Sequence, residues 1–361
     1  MRRIKTNNLR PDMIVARTII DSDSRVLLSS GMSLTEKYID RLAELGIASI
    51  FVKDGLLDDE VLANDIVAET TRAETVKVVK NSFVDLEKKS SFNVHAVKNI
   101  VNNIIDELLD NKNILIHLTD IRSFDDYTFG HSVNVCILSI ITAITLGYNQ
   151  AKLKELGVGA LLHDIGKTRL DKEVLNKPGD LTPEEFNEIK RHTEYGFNIL
   201  REYMEISLLS AHIAYQHHER WDGNGYPRGL VGIDIHQHAR IVAAADVYDA
   251  LLADRPYRPA YNVNQALNIL SRMAGSYLDF DCVTALKSNV AIYPIGSFVQ
   301  LTTGDICIVV DANKANPTRP KLKIVLDKEK KRIPNPREID LSRLKTVMIT
   351  RPIQEEEVPF N

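Results

Sequence analysis

The feature that most constrains the fold of this chain is a long segment without helix-breaking residues. Between Gly55 and Gly130 there is no glycine and no proline. Later in this segment apolar residues recur every three or four positions, at Val97, Ile100, Val101, Ile104, Ile105 and Leu108. This spacing is typical of amphipathic helices, so we predict that residues 58–115 form a helical connector. Its more polar part, Glu69–Lys89, is consistent with either a linker helix or a contact in a homodimer.

The next segment, 116–290, keeps a mostly helical pattern but contains loops in which His, Asp, Gly and Pro are concentrated. We expect the chemistry of the protein to lie there. The predicted fold class is mainly α, a helical bundle flanked by a small ββαβ module over residues 1–57 and a small β-rich tail over residues 291–361.

Both ends of the chain carry strand patterns. The predicted strands are two short ones within Met13–Leu28, then Ile47–Val52, Ser297–Thr302, Ile306–Val310 and Lys321–Leu326. In the N-terminal module, Ser33 or Thr35 is placed to cap a helix that Gly46 ends. This module contains no cluster of nucleophiles or metal ligands.

The composition excludes several classes of protein. The 361 residues carry 45 basic and 49 acidic side chains, a formal net charge of −4, so no overall positive charge is present to bind polymeric nucleic acid or an anionic membrane. The three cysteines are far apart and form neither a disulfide framework nor a thiolate zinc site. The N-terminus lacks the apolar run of a signal peptide, and the most apolar stretch, Val133–Tyr148, is too short for a membrane span. We expect a cytoplasmic protein that binds metal through His and carboxylates.

Five of the ten histidines lie in short clusters with other polar residues beside apolar helical runs. The residues that could bind metal are His131, His163, Asp164, His192, His217, His218 and Asp246. Each cluster alone is a weak signal, but the combination predicts inward-facing ligands from several helices of one bundle. Two metal ions about 3.5–4 Å apart can activate a nucleophile at neutral pH and neutralise phosphoryl charge, which is what phosphodiester hydrolysis needs.

These clusters carry a specific resemblance. His163-Asp164, with His131 upstream and Asp246 downstream, resembles the HD phosphohydrolase superfamily. The loop that begins at His217 and ends at Leu230 has the pattern HHExxDGxGYPxGL of the HD-GYP subfamily at every fixed position. The resemblance implies an HD-type bundle and a cyclic di-GMP phosphodiesterase. Such an enzyme forms pGpG, with GMP as an optional further product, through a metal-activated hydroxide. It also implies two divalent ions, iron or manganese.

Carried over residue by residue, the resemblance implies two ligand sets. One ion would be bound by His131, His163, Asp164 and Asp246, and the other by Asp164, His192, His217 and His218. Asp164 would therefore bridge the ions, and Lys167 would lie near the scissile phosphate. Arg255 and Arg258 would bind substrate, since a guanidinium offers paired donors to phosphate oxygens or to guanine.

The Gly225-Tyr226-Pro227 segment of the loop is consistent with a rigid turn, with a border of the active site that contacts GGDEF-domain partners, or with both. Some members of the family bind a third metal through a glutamate one helical turn before the first histidine. Tyr127 stands at that position here, so we expect two ions. Two other functions stay open, a non-catalytic effector that binds a cyclic dinucleotide and a phosphohydrolase acting on another nucleotide.

The remaining polar residues near these motifs are given simpler roles. Glu219 and Asp249 either orient ligand imidazoles or form helix caps and salt bridges, and Asp222 is predicted to be a turn residue. The other histidines are predicted to lie on the surface or to be structural: His236 and His238 on the surface, and His95, His117 and His212 as structural residues.

Overall fold

The computed structural model describes residues 2–20, 26–45, 47, 49–53, 66–111, 115, 127–177, 179–253, 260–353 and 357–358. The chain divides into two compact units. One comprises residues 1–66, 113–126 and 290–361, and the other comprises residues 67–112 and 127–289.

The N-terminal part of the first unit is a small α/β module. Its elements are β1 (Arg2–Lys5), β2 (Ile14–Val15), β3 (Ile19–Ile20), β4 (Val26–Leu28), α1 (Glu36–Glu44) and β5 (Ser49–Lys53). Strand β5 lies between β1 and β2, and β3 pairs with β4, all antiparallel. The hydroxyl of Thr35 accepts a hydrogen bond from the backbone N–H of Tyr38 and so caps α1 as predicted. Strand β1 is an addition to the predicted module, and three strands lie within residues 13–28 where two were predicted. Gly46 lies outside the described residues.

The second unit is helical. Its helices are α2 (Glu69–Lys89), α3 (Val94–Asp110), α4 (Tyr127–Thr145), α5 (Gln150–Leu161), α6 (Lys172–Leu175), α7 (Pro183–Lys190), α8 (His192–Arg201), α9 (Leu208–Gln216), α10 (Gln237–Leu252), α11 (Val263–Met273) and α12 (Phe280–Ser288). Helix α2 packs against α3 and α4 inside this unit. The predicted long helices over residues 69–110 are therefore present, with a short break at 90–93.

Helix α4 is the centre of the helical unit and packs against α5, α10 and α12. It is apolar over most of its length, and Val135, Ile137 and Ile140 are fully buried. Helix α5 in turn packs closely against α9. A Cβ added to Gly159 of α5 would overlap the side chain of Ile213 of α9. These contacts bring the ends of α5 and α9 and the middle of α10 to one place beside α4.

The C-terminal part of the first unit is an antiparallel sheet. Its strands are β6 (Phe298–Leu301), β7 (Ile306–Asp311), β8 (Lys321–Leu326), β9 (Glu338–Asp340) and β10 (Ile349–Ile353), in the order β10-β6-β7-β8-β9. The predicted hairpin and third strand are confirmed as β6, β7 and β8. Alternate residues of these strands bury apolar side chains on both faces of the sheet.

The mainly helical fold class with β elements at both ends is confirmed. The apolar segment predicted to be a core helix lies largely within α4 and is buried. Within the described residues, no helix combines the length and the apolar character needed to cross a bilayer.

Candidate metal centre

Asp164 lies at the centre of the candidate site, directly after α5. The chain leaves α5 at Leu161 and forms a 3₁₀ turn over Ile165–Arg169. This turn lies directly on the backbone of α8, because a Cβ at Gly166 would overlap the carbonyl oxygen of His192. Glycine is therefore required at this position for the close approach. The approach brings Asp164, which is 2% exposed, beside the first residue of α8.

Three of the histidines around Asp164 share one pattern of hydrogen bonds. The Nδ1 atom of His163 lies 2.8 Å from the carbonyl oxygen of Ala160, and that of His192 lies 2.6 Å from the carbonyl oxygen of Ile189. The Nδ1 atom of His217 lies 3.0 Å from the carbonyl oxygen of Ala214. Because a carbonyl oxygen only accepts, each Nδ1 carries a proton, and in a neutral ring with that proton Nε2 is left with a lone pair.

These lone pairs meet without a proton between them. The Nε2 atoms of His192 and His217 are 3.3 Å apart. The Oδ1 atom of Asp164 lies 3.6 Å from Nε2 of His192 and 3.9 Å from Nε2 of His217, and it has no hydrogen-bond partner among the described residues. Three acceptors thus converge in a buried place where mutual repulsion is unfavourable. A bound cation would remove this repulsion, so the residues present fit a metal ion.

Asp164 also faces His163. Its Oδ2 atom lies 3.4 Å from Nε2 of His163. On α10, Oδ1 of Asp246 lies 3.1 Å from Nε2 of His131, and Oδ2 of Asp246 lies 3.9 Å from Nδ1 of His218. Two groups of residues have ligand atoms within 4.8 Å of one another: His131, His163 and Asp164, and His192, His217 and His218.

Burial and charge set the protonation states of this site. Burial lowers the pKa values of His192 and His217, and lowers that of His218 to about 3. These three imidazoles are therefore neutral at pH 7, the form that binds metal. Burial also raises the pKa of Asp164, but the positive charge of Lys167 and the interaction with the neighbouring His163 outweigh it and hold that pKa well below its usual range.

His131 is the exception among the histidines. Burial lowers its pKa, but its hydrogen bonds to Asp246 and Asp249 outweigh this effect and raise the pKa well above its usual value. The carboxylate of Asp249 lies 2.7 Å from Nδ1 of His131 and also accepts a hydrogen bond from the side-chain amide of Asn134. Two roles were left open for Asp249, and its contact with the candidate ligand His131 favours the one in which it orients an imidazole.

The sequence matches the HD domain family over residues 105–282 and a KOW domain associated with HD domains over residues 298–361. Cyclic di-GMP phosphodiesterase PA4108 of Pseudomonas aeruginosa is 33% identical over 288 residues, which cover 80% of this chain and 68% of that protein. The chain belongs to the HD-GYP family of HD domain proteins. The family membership predicted from the motifs is therefore confirmed.

Two further comparisons are with a phosphodiesterase and with a solved structure. The 3′3′-cGAMP-specific phosphodiesterase 3 of Vibrio cholerae is 39% identical over 168 residues, which cover 46% of this chain and 36% of that protein. The chain thus spans little more than a third of this relative. The solved structure of Bd1817, a HDG"Y"P protein from Bdellovibrio bacteriovorus, matches with a TM-score of 0.53 at 21% identity, covering 79% of this chain and 97% of that one. This likeness shows a shared fold.

The HD-GYP loop, residues 217–230, folds back onto its own beginning. A Cβ at Gly225 would overlap the backbone N–H of Arg220, and the backbone N–H of Tyr226 donates to the carbonyl oxygen of His218 over 3.2 Å. The buried carboxylate of Glu219 accepts the backbone N–H groups of Arg228 and Leu230 over 2.8 and 3.0 Å. Both of these hydrogen bonds come from the loop backbone, so Glu219 stabilises the loop through them.

This fold places Tyr226 at the candidate site. Its ring centroid lies 4.8 Å from that of His218 and 6.5 Å from that of His192. The loop is thus both a tight turn and a border of the candidate metal centre. Asp222 accepts the backbone N–H of Asn224 over 3.0 Å, which confirms its prediction as a turn residue.

Several predicted residues fall elsewhere. Arg255, Arg258 and His117 lie outside the described residues. The prediction that His238 lies on the surface is wrong, since this residue is 3% exposed in the first turn of α10. Sequence reasoning also missed Asn134. The signal was its position one helical turn after His131, which places both side chains on the same face of α4.

Proposed function

We propose that this chain is a metal-dependent phosphodiesterase that hydrolyses cyclic di-GMP to pGpG, with further hydrolysis to GMP as a second step. The observation that carries the proposal is the convergence of acceptors around Asp164. Neutral imidazole nitrogens and a carboxylate oxygen without a hydrogen-bond partner among the described residues point at one another there. Such a donor set suits divalent cations of the first transition row.

The proposed ligand sets follow from which atoms face each other. Site A consists of His131, His163, Asp164 and Asp246, and site B consists of Asp164, His192, His217 and His218. Asp164 belongs to both because its Oδ2 atom faces His163 and its Oδ1 atom faces His192 and His217. We propose iron or manganese as the native ions. Bound together, two such ions supply a nucleophile at neutral pH and neutralise phosphoryl charge.

Lys167 is the residue proposed to contact the scissile phosphate. Its ammonium group lies 2.6 Å from Oδ2 of Asp164, and its side chain is 28% exposed, so it reaches the edge of the buried site. An ammonium has no lone pair for a metal but offers three donors to phosphate oxygens. It therefore stabilises charge that develops on the phosphate in the transition state.

The remaining contacts to the substrate are proposed for residues at the edge of the site. Tyr226 offers an aromatic face beside His218, which is suited to stacking on a purine base. Arg255 and Arg258 are proposed to bind phosphate or guanine. Contact of the loop with GGDEF-domain proteins and formation of a homodimer stay predictions.

A second substrate is favoured by one specific observation. The Vibrio cholerae relative that is 39% identical over 168 residues is specific for 3′3′-cGAMP by its name. Both dinucleotides present the same phosphodiester ring and differ in one purine, so the metal ligands cannot distinguish them. The discrimination would have to come from residues that contact the bases.

The test is a turnover assay with full-length protein purified without oxygen and loaded separately with Fe²⁺ or Mn²⁺. Cyclic di-GMP and 3′3′-cGAMP are supplied in separate reactions, the products are separated by chromatography, and Asp164→Ala is the control. We expect pGpG from cyclic di-GMP in the wild type and none in the variant. Tight binding without turnover would favour the effector function, and faster turnover of 3′3′-cGAMP would reassign the substrate. Equal turnover by both proteins would contradict the proposed centre.

A further inference from the structure

The imidazole of His131 is positioned differently from three other imidazoles of the candidate centre. The Nδ1 atoms of His163, His192 and His217 meet neutral backbone carbonyls. The Nδ1 atom of His131 instead meets the carboxylate of Asp249 at 2.7 Å. Of these four imidazoles, that of His131 in site A is the one whose Nδ1 atom meets a charged group.

The carboxylate of Asp249 is itself fixed from two sides. Asp246 and Asp249 are one turn apart on α10, so both carboxylates lie on the face of the helix that meets α4. Asp249 uses Oδ2 for His131 and accepts the side-chain amide of Asn134 on Oδ1 at 2.8 Å. Its side chain is 7% exposed, so water competes little for these bonds. His131 and Asn134 of α4 thus meet Asp246 and Asp249 of α10 in a closed set of contacts.

We infer that Asp249 is a positioning residue that orients His131 toward site A and strengthens the binding of a divalent ion there but not at site B. This inference rests on the metal centre proposed above. A carboxylate that accepts the Nδ1 proton makes the opposite nitrogen of the ring a better donor to a metal and fixes the direction of its lone pair. Asn134 acts one step further out, by holding the carboxylate in place.

The experiment measures Mn²⁺ binding to the full chain by equilibrium dialysis after chelator treatment, without substrate. The wild type is expected to bind two ions. Asp249→Ala should weaken one of them about 10- to 100-fold and leave the other unchanged. Asp249→Asn should weaken it less, because an amide oxygen still accepts the Nδ1 proton but carries no charge. Asn134→Ala should weaken it about 2- to 12-fold, the equivalent of one hydrogen bond.

His192→Ala identifies which ion is affected, since it removes a proposed ligand of site B alone. The double variant His192→Ala/Asp249→Ala should bind its remaining ion about 10- to 100-fold more weakly than His192→Ala does. Asn289→Ala is the matched control. Its buried amide donates to Thr145 of α4 and to a backbone carbonyl, away from the ligands, so its loss should leave both Mn²⁺ affinities unchanged.

Circular dichroism checks that each variant folds, and if Asp249→Ala does not fold, Asp249→Asn and Asn134→Ala carry the test. Unchanged Mn²⁺ affinities in folded variants, or weakening of the ion at site B, would overturn the inference. Wild-type turnover combined with that result would leave the proposed function standing. Two tightly bound ions without turnover of either dinucleotide, combined with selective weakening by Asp249→Ala, would support the inference and contradict the proposed function.

Discussion

Among the described residues, two groups of histidines in the helical unit are buried or partly buried, and one of them has the form of a metal site. The first group surrounds Asp164, and four of its five rings are held through Nδ1, those of His163, His192 and His217 by carbonyls and that of His131 by a carboxylate. The second is the pair His236 and His238 at the start of α10, whose ring centroids are 4.6 Å apart. By sequence alone, the His-x-His motif of this pair indicates metal binding as strongly as any single short motif of the first group does.

The pair differs in what its nitrogens contact. The Nδ1 atom of His236 accepts the backbone N–H of His238 over 3.2 Å and so caps α10. The Nδ1 atom of His238 is buried without a hydrogen-bond partner in the described part of the chain. Among the described residues, neither histidine belongs to a group of three or more potential ligands. Burial of an imidazole therefore does not define a metal site, whereas convergence with carboxylates does.

The largest expected effect comes from a matched pair of substitutions, one in each group. His217 and His238 are 2% and 3% exposed, so replacing either with glutamine disturbs a similarly buried place. His217→Gln should lower turnover about 1,000-fold or more, because loss of an ion removes several kcal/mol of charge stabilisation. His238→Gln should stay within about twofold of the wild type. Turnover and bound metal are measured on the same samples, and equal losses in both variants would break the comparison.

The convergence of the first group could be predicted from the sequence because each ligand stands in a recognisable cluster beside an apolar run. Asp164 and Asp246 are far apart along the chain, yet the motifs assigned them to one site. In the structure, His131 and His218, which face Asp246, lie close to the histidines around Asp164. The motifs did not show which residues hold the candidate ligands and the loop in place. Asp249 and Glu219 were left between two roles, since one sequence does not show which carboxylate reaches an imidazole and which reaches a backbone N–H.

His238 shows a different limit. It was predicted to lie on the surface, in a loop before the helix of Asp246, but α10 already begins at Gln237, and His238 in its first turn is buried. His238, Ile241, Val242 and Ala245 share one face of that helix at spacings of three, four and seven residues. The pattern was present in the sequence, but the helix start was not recognised. The added strands β1, β9 and β10 were missed because such short strands have little periodicity of their own.

A second pair of substitutions tests the charge beside Asp164. Lys167→Met removes the ammonium group that lies 2.6 Å from Oδ2 of Asp164. It should lower kcat about 100- to 1,000-fold, comparable with the loss of one donor that stabilises developing charge. Lys172→Met is the control, because this lysine pairs with Glu87 at the surface and is 71% exposed. The measurement is kcat at saturating Mn²⁺, and a kcat for Lys167→Met equal to that of the control would remove Lys167 from the proposed site.

A smaller effect is expected from the HD-GYP loop. Glu219→Gln leaves one acceptor oxygen where two backbone N–H groups, of Arg228 and Leu230, now bind. One buried N–H loses its partner, at a cost of about 1–3 kcal/mol. Hydrogen exchange of peptides covering residues 223–231 should accelerate accordingly. Asp222→Asn, an exposed change in the same loop, should alter exchange protection by less than about 0.5 kcal/mol. Similar exchange in both variants would show that Glu219 does not hold the loop.

The smallest expected effect is the contribution of His238, in the second group, to the pH dependence of the melting temperature. Burial, with the charges of His236 and Lys152 nearby, lowers the pKa of His238 to about 4. Between about pH 6.5 and 4 the unfolded chain therefore binds a proton that the folded chain does not, so acidification favours unfolding. His238→Gln removes this proton, and its melting temperature should fall less than that of the wild type between pH 7.5 and 5, by about 2–4 °C. Both proteins are melted without metal, so the acid sensitivity of the first group is common to them. His95→Gln, at an exposed position of α3, should follow the wild type, and parallel curves for all three proteins would show that His238 is not the group responsible.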